Sequence, residues 1–499
     1  MRVLSFFLLA LLVNSACQRQ AFDEKQTIHC RVDFSDQLFP WDGFGVNYVQ
    51  SAQWRGYDSA SREDYGGFSQ LNEQQREEIL ELIFGEDGLK PSLLKLFLDP
   101  YHEGFELSDN DDDDPYHITE EAFDHESTTH WMRYFAQEGL RMTREQGRDL
   151  DMITTLYGPP AWMTKQKFVR GRDLDPKYKK ELGEYMIAWV KFLVEKEQLP
   201  VKYLSLYNEG EMDNRWDEAG LTSGHEGHDH NLYWPKEQIC DFMTFMPEML
   251  EKHGLGHIGL TPGEAMSWET FGRMGIPQAL SNDPEALENM ALLTSHSFMG
   301  REASGVAMLR DIYKNRHGKY LKTWTTSFSF INMYIDFLYN MHHEIYQVKT
   351  NGIIMWAPVQ VKDMWIGGEP NAGCAIWVDG DKYEVRSGYH FLKSFSRMGM
   401  AGMQVAKTYS SDKDILVTAF SQGDSDAPNA FNVLNVYEEE DKRVFIQVDD
   451  AEGKTFQVYR TSMEEDYQEM EEVQVKNGGF YYTAPQKSST TFFEKQVVS

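Results

Sequence analysis

A short apolar run, Tyr203-Leu-Ser-Leu-Tyr207, ends in Asn208-Glu209. A carboxylic acid beside an amide, at the mouth of a buried strand, suits cleavage of a glycosidic bond by a proton donor. Such an acid must stay protonated near neutral pH, which burial and a nearby negative charge bring about by raising its pKa. Asn208 is placed to bond a sugar 2-hydroxyl, a contact that strengthens in an oxocarbenium-like transition state. Taken alone, Asn-Glu is a frequent dipeptide that also reads as a helix N-terminal Asn followed by an exposed Glu.

Other residues add to this chemistry or compete with it. The stretch Tyr157-Gly-Pro-Pro-Ala-Trp162-Met-Thr-Lys165 sets a tryptophan and a lysine on a proline-fixed loop, among 12 Trp and 25 Tyr in the chain. Aromatic faces stack on sugar rings, although core packing is an equally good reading of any one of them. Lys165, Lys167, Arg170 and Arg172 form a local basic edge that suits a uronic-acid or sulfated glycan; a solvated loop is the plainer reading. His225, His228 and His230 with Asp229 lie in a Gly-rich loop with no element to fix them, so no metal site is expected. Asp111 to Asp114 read as an exposed acidic loop, and His342-His343-Glu344 as mid-helix residues with a packing or surface role.

The elements that must position these residues follow an alternating pattern. From about residue 40 to 360, strand-like runs alternate with amphipathic stretches such as Pro176–Glu197 and Ile331–Lys349. Leu93–Leu98 ends in Asp99-Pro100, Asp151–Leu156 in Tyr157-Gly158, and Tyr203–Tyr207 in Asn208-Glu209. Ile258–Thr261 ends in Pro262-Gly263-Glu264, Leu292–Thr294 in Ser295-His296, Tyr320–Thr325 in Thr326-Ser327, and Gly352–Met355 in Trp356. Polar and aromatic residues thus gather at C-terminal strand ends, where an α/β fold of the (β/α)₈ TIM-barrel kind carries its site. A doubly wound open sheet fits less well, because no Gly-rich phosphate loop follows an early strand. After about residue 375 the pattern becomes short alternating strands, including Ile415–Phe420, Phe431–Val436, Val444–Val448, Thr455–Tyr459 and Thr490–Phe493. That half reads as a β-sandwich whose closing strand leaves an ordered tail.

Composition sets outer bounds. The 499 residues have room for a barrel of about 250 residues plus a companion domain. A net charge of −31 argues against nucleic acid and anionic lipid as partners. Residues 1–17 read as a targeting segment: Arg2, the apolar Leu4 to Val13, then Ser15-Ala16 before Cys17. Small residues before a cysteine resemble a bacterial lipobox, with Asn14 an imperfect fit. Export with a lipid anchor at Cys17 is expected, in the periplasm or at the cell surface, with ordinary secretion as the alternative. Cys30, Cys240 and Cys374 have no metal-ligand spacing and read as buried free thiols.

The chain resembles glycoside hydrolase family 30 of the clan A barrels, the group that includes glucosylceramidases and microbial xylanases and glucanases. Trp41-Asp-Gly-Phe-Gly45 resembles the family's entry into strand one, and Tyr157 to Lys165 its Ser-Pro-Pro-Trp-Met-Lys loop. Tyr207-Asn-Glu209 resembles its Asn-Glu-Pro element, His296-Ser-Phe298 its sixth-strand His-aromatic pair, and Trp356 its eighth-strand tryptophan. The resemblance spans nearly the whole chain after the targeting segment. It implies a barrel over residues 41–374 and a sandwich built from residues 27–40 with 375–499. It also implies a glycosidase with Glu209 as acid/base and with Asn208, Trp162, His296, Trp356, Ser327 and Lys165 around the substrate.

Two positions depart from the family. Gly210 replaces the proline after Asn-Glu, and Trp324-Thr-Thr-Ser327 has serine where the family's nucleophilic Glu ends strand seven. A serine hydroxyl stays protonated near neutral pH and is a poor nucleophile without a base. Three explanations stay open. The enzyme is inverting, with Glu264 as base and Glu211 a weaker choice; a group on the substrate is the nucleophile; or catalysis is lost and the chain binds glycans. Glu264 reads equally as a helix N-terminal carboxylate. The expectation is a secreted hydrolase of β-linked oligo- or polysaccharides, neutral or anionic, needing no cofactor and touching a membrane only through its lipid anchor.

Overall fold

The computed structural model describes residues 27–51, 64–103, 114–169, 171–211, 230–298, 302–328, 332–364, 370 and 373–495. The targeting segment with Cys17, and likewise Asp111, Arg170, His225, His228 and Asp229, lie outside the described residues.

The chain enters through β1 (Ile28–Pro40) and then runs into parallel strands: β2 (Gly43–Asn47), β3 (Leu93–Leu98), β4 (Asp151–Leu156), β5 (Val201–Ser205), β6 (Gly259–Thr261), β7 (Leu293–Ser295), β8 (Thr323–Phe328) and β9 (Gly352–Met355). Their order in the sheet is β6-β5-β4-β3-β2-β9-β8-β7. The ring closes between β6 and β7 through a Thr261–Thr294 hydroxyl bond of 2.7 Å and the Ala291 N–H on Leu260 O at 3.0 Å. Parallel strands with helices outside are buried on both faces, so they read as continuous apolar runs. In β3, Leu-Leu-Lys-Leu-Phe-Leu, every residue is buried, and Lys95 alone is charged.

Inside the ring, Leu93, Ile153, Leu292, Trp324 and Ile354 form an apolar plug with Tyr203 packed against it. Side chains two residues apart on a strand share a face. Lys95 follows Leu93 and Thr155 follows Ile153, so a polar layer stands on the plug toward the C-terminal strand ends. The helical stretch expected over Pro176–Glu197 is a 3₁₀ turn, the helix Lys179–Lys191 and a π-turn to Lys196.

A small sheet follows, of β10 (Val359–Val361), β11 (Ile376–Asp379) and β12 (Lys382–Val385), and then the helix Ser387–Ser396. The remaining strands are β13 (Gln404–Ser410), β14 (Ile415–Ser421), β15 (Ala430–Asn435), β16 (Lys442–Val448), β17 (Thr455–Thr461), β18 (Gln468–Gln474), β19 (Gly479–Ala484) and β20 (Ser488–Glu494). They join β1 in a nine-stranded sheet of order β18-β17-β20-β15-β14-β13-β1-β16-β19. β1 pairs antiparallel with β13 and parallel with β16, with bulges between Asp33 and Phe39. Bulges bend a strand and raise its twist. The sheet folds over so that Phe480 of β19 meets Phe492 of β20 at 5.6 Å, around a core that includes Val32, Val417, Phe431 and Ile446. This is the sandwich that the alternating patterns require. It meets the barrel through Trp41, which donates to Gly399 O at 2.9 Å and packs its ring 5.0 Å from Phe420.

Cys30, Cys240 and Cys374 are buried free thiols, and burial raises each of them, Cys30 and Cys240 to about 11 and Cys374 to about 12. Among the described residues, no helix is long and apolar enough to cross a membrane.

Candidate active site

The β5–β6 ladder is interrupted after Ser205 and Thr261 and resumes as a single bridge between Asn208 and Glu264. The Glu264 N–H donates to Tyr207 O at 2.9 Å, and the Glu209 N–H donates to Glu264 O at 2.7 Å. Between them Gly263 has φ +101, and a Cβ there would lie 2.0 Å from Tyr207 Cε1, so only glycine fits. Glu209 itself has φ +44, a left-handed conformation that costs a non-glycine residue about 1 kcal/mol or more. Strain of this kind gathers at functional sites because surrounding structure holds it there. Here the hold comes from both flanks: the bridge to Glu264 before the turn, and the Trp234 N–H on Gly210 O at 2.7 Å after it.

Asn208 is bonded at both ends of its amide. Its Nδ2 donates to Asn231 Oδ1 at 3.1 Å, and its Oδ1 lies 3.0 Å from His296 Nε2. With Asn208 oxygen as acceptor, the imidazole carries its proton on Nε2. His296 is held well below the ordinary histidine range, first by burial and then by the Lys95 ammonium, so it is neutral. The ring lies between two carboxylates: Glu209 Oε1 is 3.8 Å from Nε2 and Glu264 Oε2 is 3.7 Å from Nδ1. Of these three side chains Glu209 is 10% exposed, His296 1% and Glu264 0%, so Glu209 is the one that can reach a ligand.

Glu264 is committed elsewhere. Its Oε2 accepts from Lys95 Nζ and its Oε1 accepts from Thr155 Oγ1 at 2.6 Å, with both partners buried. Lys95 also reaches Thr326 O at 3.4 Å and sits 4.9 Å over the Phe97 ring. The sequence pattern did not single out Lys95 or Thr155. The signal available was a lone lysine inside an otherwise apolar strand, which requires an internal counter-ion.

The remaining expected residues are distributed as follows. Ser327, at the end of β8, is buried, and its Oγ makes no hydrogen bond among the described residues. Trp356 is buried with its ring 5.9 Å from Phe97, edge on. Trp162, expected as a stacking platform, is only 2% exposed. Its Nε1 donates to Glu103 Oε2 at 2.8 Å and its ring meets Tyr178 at 4.8 Å. The proline-fixed loop therefore turns this ring into the protein, a correction to the expected sugar contact. Lys165 is exposed, whereas Lys167 donates to Trp162 O at 2.6 Å and Arg172 pairs with Asp173 at 3.0 Å. Glu211, expected to be unconstrained, accepts from the Met266 N–H at 2.6 Å.

His230 is buried edge on to Tyr101 at 5.4 Å, and no cluster able to hold a metal occurs among the described residues. Asp114 accepts from the Tyr116 N–H at 3.1 Å. Sequence reasoning missed Asn231, because it lies far along the chain from Asn208 and carries no motif of its own.

The fold is that of solved glycoside hydrolase family 30 structures. A family 30 endoxylanase from Clostridium papyrosolvens matches at 15% identity and a TM-score of 0.63, over 94% of this chain and 100% of that one. Family 30 xylanase C from Talaromyces cellulolyticus matches at 12% identity and a TM-score of 0.69, over 94% and 100%. An endo-β1,6-glucanase matches at 17% identity and a TM-score of 0.65, over 94% of each chain. At these identities the likeness is one of fold. No protein-family model matches the chain, and neither does any curated protein sequence.

Proposed function

We propose that the chain is a glycoside hydrolase acting on β-linked glycans, with Glu209 as its proton donor. The observation that carries this reading is Glu209 itself. It is a carboxyl held in a left-handed turn at a C-terminal barrel-strand end, beside a neutral His296, and the most exposed member of its cluster. Asn208 and His296 orient it, and Trp356 and Ser327 complete the strand ends around the substrate. Lys165 faces solvent at the basic edge and is the residue we assign to an anionic sugar.

Glu264 was the expected water-activating base of an inverting reaction. Its pairing with Lys95 and Thr155 supports a different role, as the internal counter-ion that keeps Lys95 and His296 in place. A carboxylate with no exposure, already bonded to a buried ammonium and a buried hydroxyl, is closed off from the water it would have to activate. The second catalytic group is then best sought on the substrate, whose own neighbouring group can attack the anomeric carbon.

One observation favours a second reading, a glycan-binding protein on a glycosidase fold: Ser327 in place of the nucleophile, with Glu264 sequestered. We further propose that the chain is exported and held by a lipid at Cys17.

The test is incubation with a panel of neutral and anionic β-glycans, following the released anomer by NMR. Release that is lost in Glu209→Gln supports the assignment. Undiminished release in Glu209→Gln rejects it, and binding without release selects the second reading. A product first released with inverted configuration would return a protein base to the mechanism.

A further inference from the structure

Glu344 is another buried carboxylate close to the site, expected from sequence to have a packing or surface role. It follows the helix Ile335–His343 and opens the π-turn Glu344–Val348. Its Oε2 accepts from Trp268 Nε1 at 3.1 Å and from Thr325 Oγ1 at 2.9 Å, and its Oε1 accepts from Ser297 Oγ. Each donor belongs to a stretch that carries a site residue. Trp268 opens the helix that follows Glu264, Ser297 comes directly after His296, and Thr325 lies on β8 just before Ser327. Because Trp324 points into the barrel plug, Thr325 points outward, so Glu344 gathers these stretches from behind the barrel wall.

The same helical stretch is fastened to the sandwich. His342 Nδ1 lies 2.8 Å from Thr418 Oγ1, and the Tyr346 hydroxyl donates to Ala406 O at 2.9 Å while accepting from the Ala419 N–H at 3.1 Å.

We propose that Glu344 is a positioning residue. It ties the stretch after β6, the stretch after β7 and the wall of β8 to one another and so sets His296 against Glu209, with the sandwich bracing it from outside. This rests on the glycosidase reading given above. The physical reason is that a buried carboxylate must keep its donors. Three stretches of chain bonded to one group cannot drift independently, and a misplacement of about 1 Å costs catalysis on the order of a hundredfold.

The test uses the full chain with Glu344→Gln and Ser297→Ala. It measures kcat and KM on a hydrolysed glycan, and the ¹⁵N NMR signature of the His296 imidazole. Glu344→Gln is expected to lower kcat on the order of a hundredfold with KM within about twofold. The single Nε2-protonated signature of His296 should become a mixture of tautomers. Ser297→Ala removes one donor and should move both readouts the same way, with about a tenfold loss of kcat. Unchanged kcat and an unchanged His296 signature overturn the proposal. Should Glu344→Gln fail to fold, Ser297→Ala decides. Should the wild-type chain cleave no glycan, the glycosidase reading fails separately, and the His296 signature alone decides the role of Glu344.

Discussion

Lys95 and Glu264 are paired inside the barrel with neither side chain exposed, one from the middle of β3 and the other beyond the end of β6. Taking both charges out of water is costly, and the pair is held because each satisfies the other. Removing one partner leaves the other buried and uncompensated. Lys95→Met is therefore expected to destabilise the fold by about 3–5 kcal/mol, and Lys95→Met combined with Glu264→Leu to recover most of that loss. Urea denaturation of the single and double variants measures both. A single variant within about 1 kcal/mol of wild type would mean that water solvates the pair.

Glu209 offers a separation of stability from function. Glycine removes the left-handed strain but adds chain entropy, so Glu209→Gly should match or slightly exceed wild-type stability. A β-branched residue aggravates the strain, so Glu209→Val should lose about 1 kcal/mol or more. Both variants should lack hydrolysis. Thermal denaturation that ranked valine above glycine would contradict the turn geometry described for this residue.

The buried histidines set the acid limb of stability. Burial, with His343 adding to it, pushes His342 down to about 3, against an ordinary value of 6.5. Below about pH 6.5 the unfolded chain takes up a proton that folded His342 refuses. Stability should thus fall by about 1.4 kcal/mol per pH unit for each such histidine as pH drops from about 6.5 towards 3, and it should be insensitive to these groups above that range. His296 acts in the same direction. Denaturation of His342→Gln at a series of pH values should show a shallower acid slope than wild type. An equal slope would mean that His342 is protonated in the folded chain.

Gly263→Ala should disturb the site without touching a polar group. The added methyl would meet the Tyr207 ring, at a φ of +101 that alanine resists. The expected loss is about 2 kcal/mol or more, with a displaced Glu264 N–H. The Glu264 amide, bonded to Tyr207 O, should lose protection in hydrogen-exchange measurements relative to wild type; unchanged protection would contradict the displacement.

Legibility in the sequence followed how local each signal was. β3, β4 and β9 fall where apolar runs end in polar or proline residues, and Asn208-Glu209 lies just past β5 as the pattern requires. β5 itself ends earlier than the expected Tyr207, because the left-handed turn and Gly263 break the ladder there. The partners that define the site come from distant strands. Lys95 to Glu264 and Asn208 to Asn231 are contacts of fold rather than of motif, and a one-dimensional pattern does not pair them. Trp162 was misread for a related reason. A proline-rich loop fixes a backbone path but not which side of the loop an indole occupies, and the Glu103 carboxylate decided that.

The strand Ile28–Pro40 lies in the interior of the nine-stranded sheet, with Cys30 opposite Ser410. It is made first of the nine, and its neighbours β13 and β16 follow only after the barrel strands have all been made. Translation at about 5–20 residues per second leaves it without partners for a time on the order of tens of seconds. The barrel can assemble in that interval, but the sandwich must wait for the end of the chain. Its formation is non-local and correspondingly slow. A chain that stops short of β13 should therefore present an unpaired edge with apolar Ile28, Cys30 and Val32 uncovered, the kind of surface on which aggregation begins.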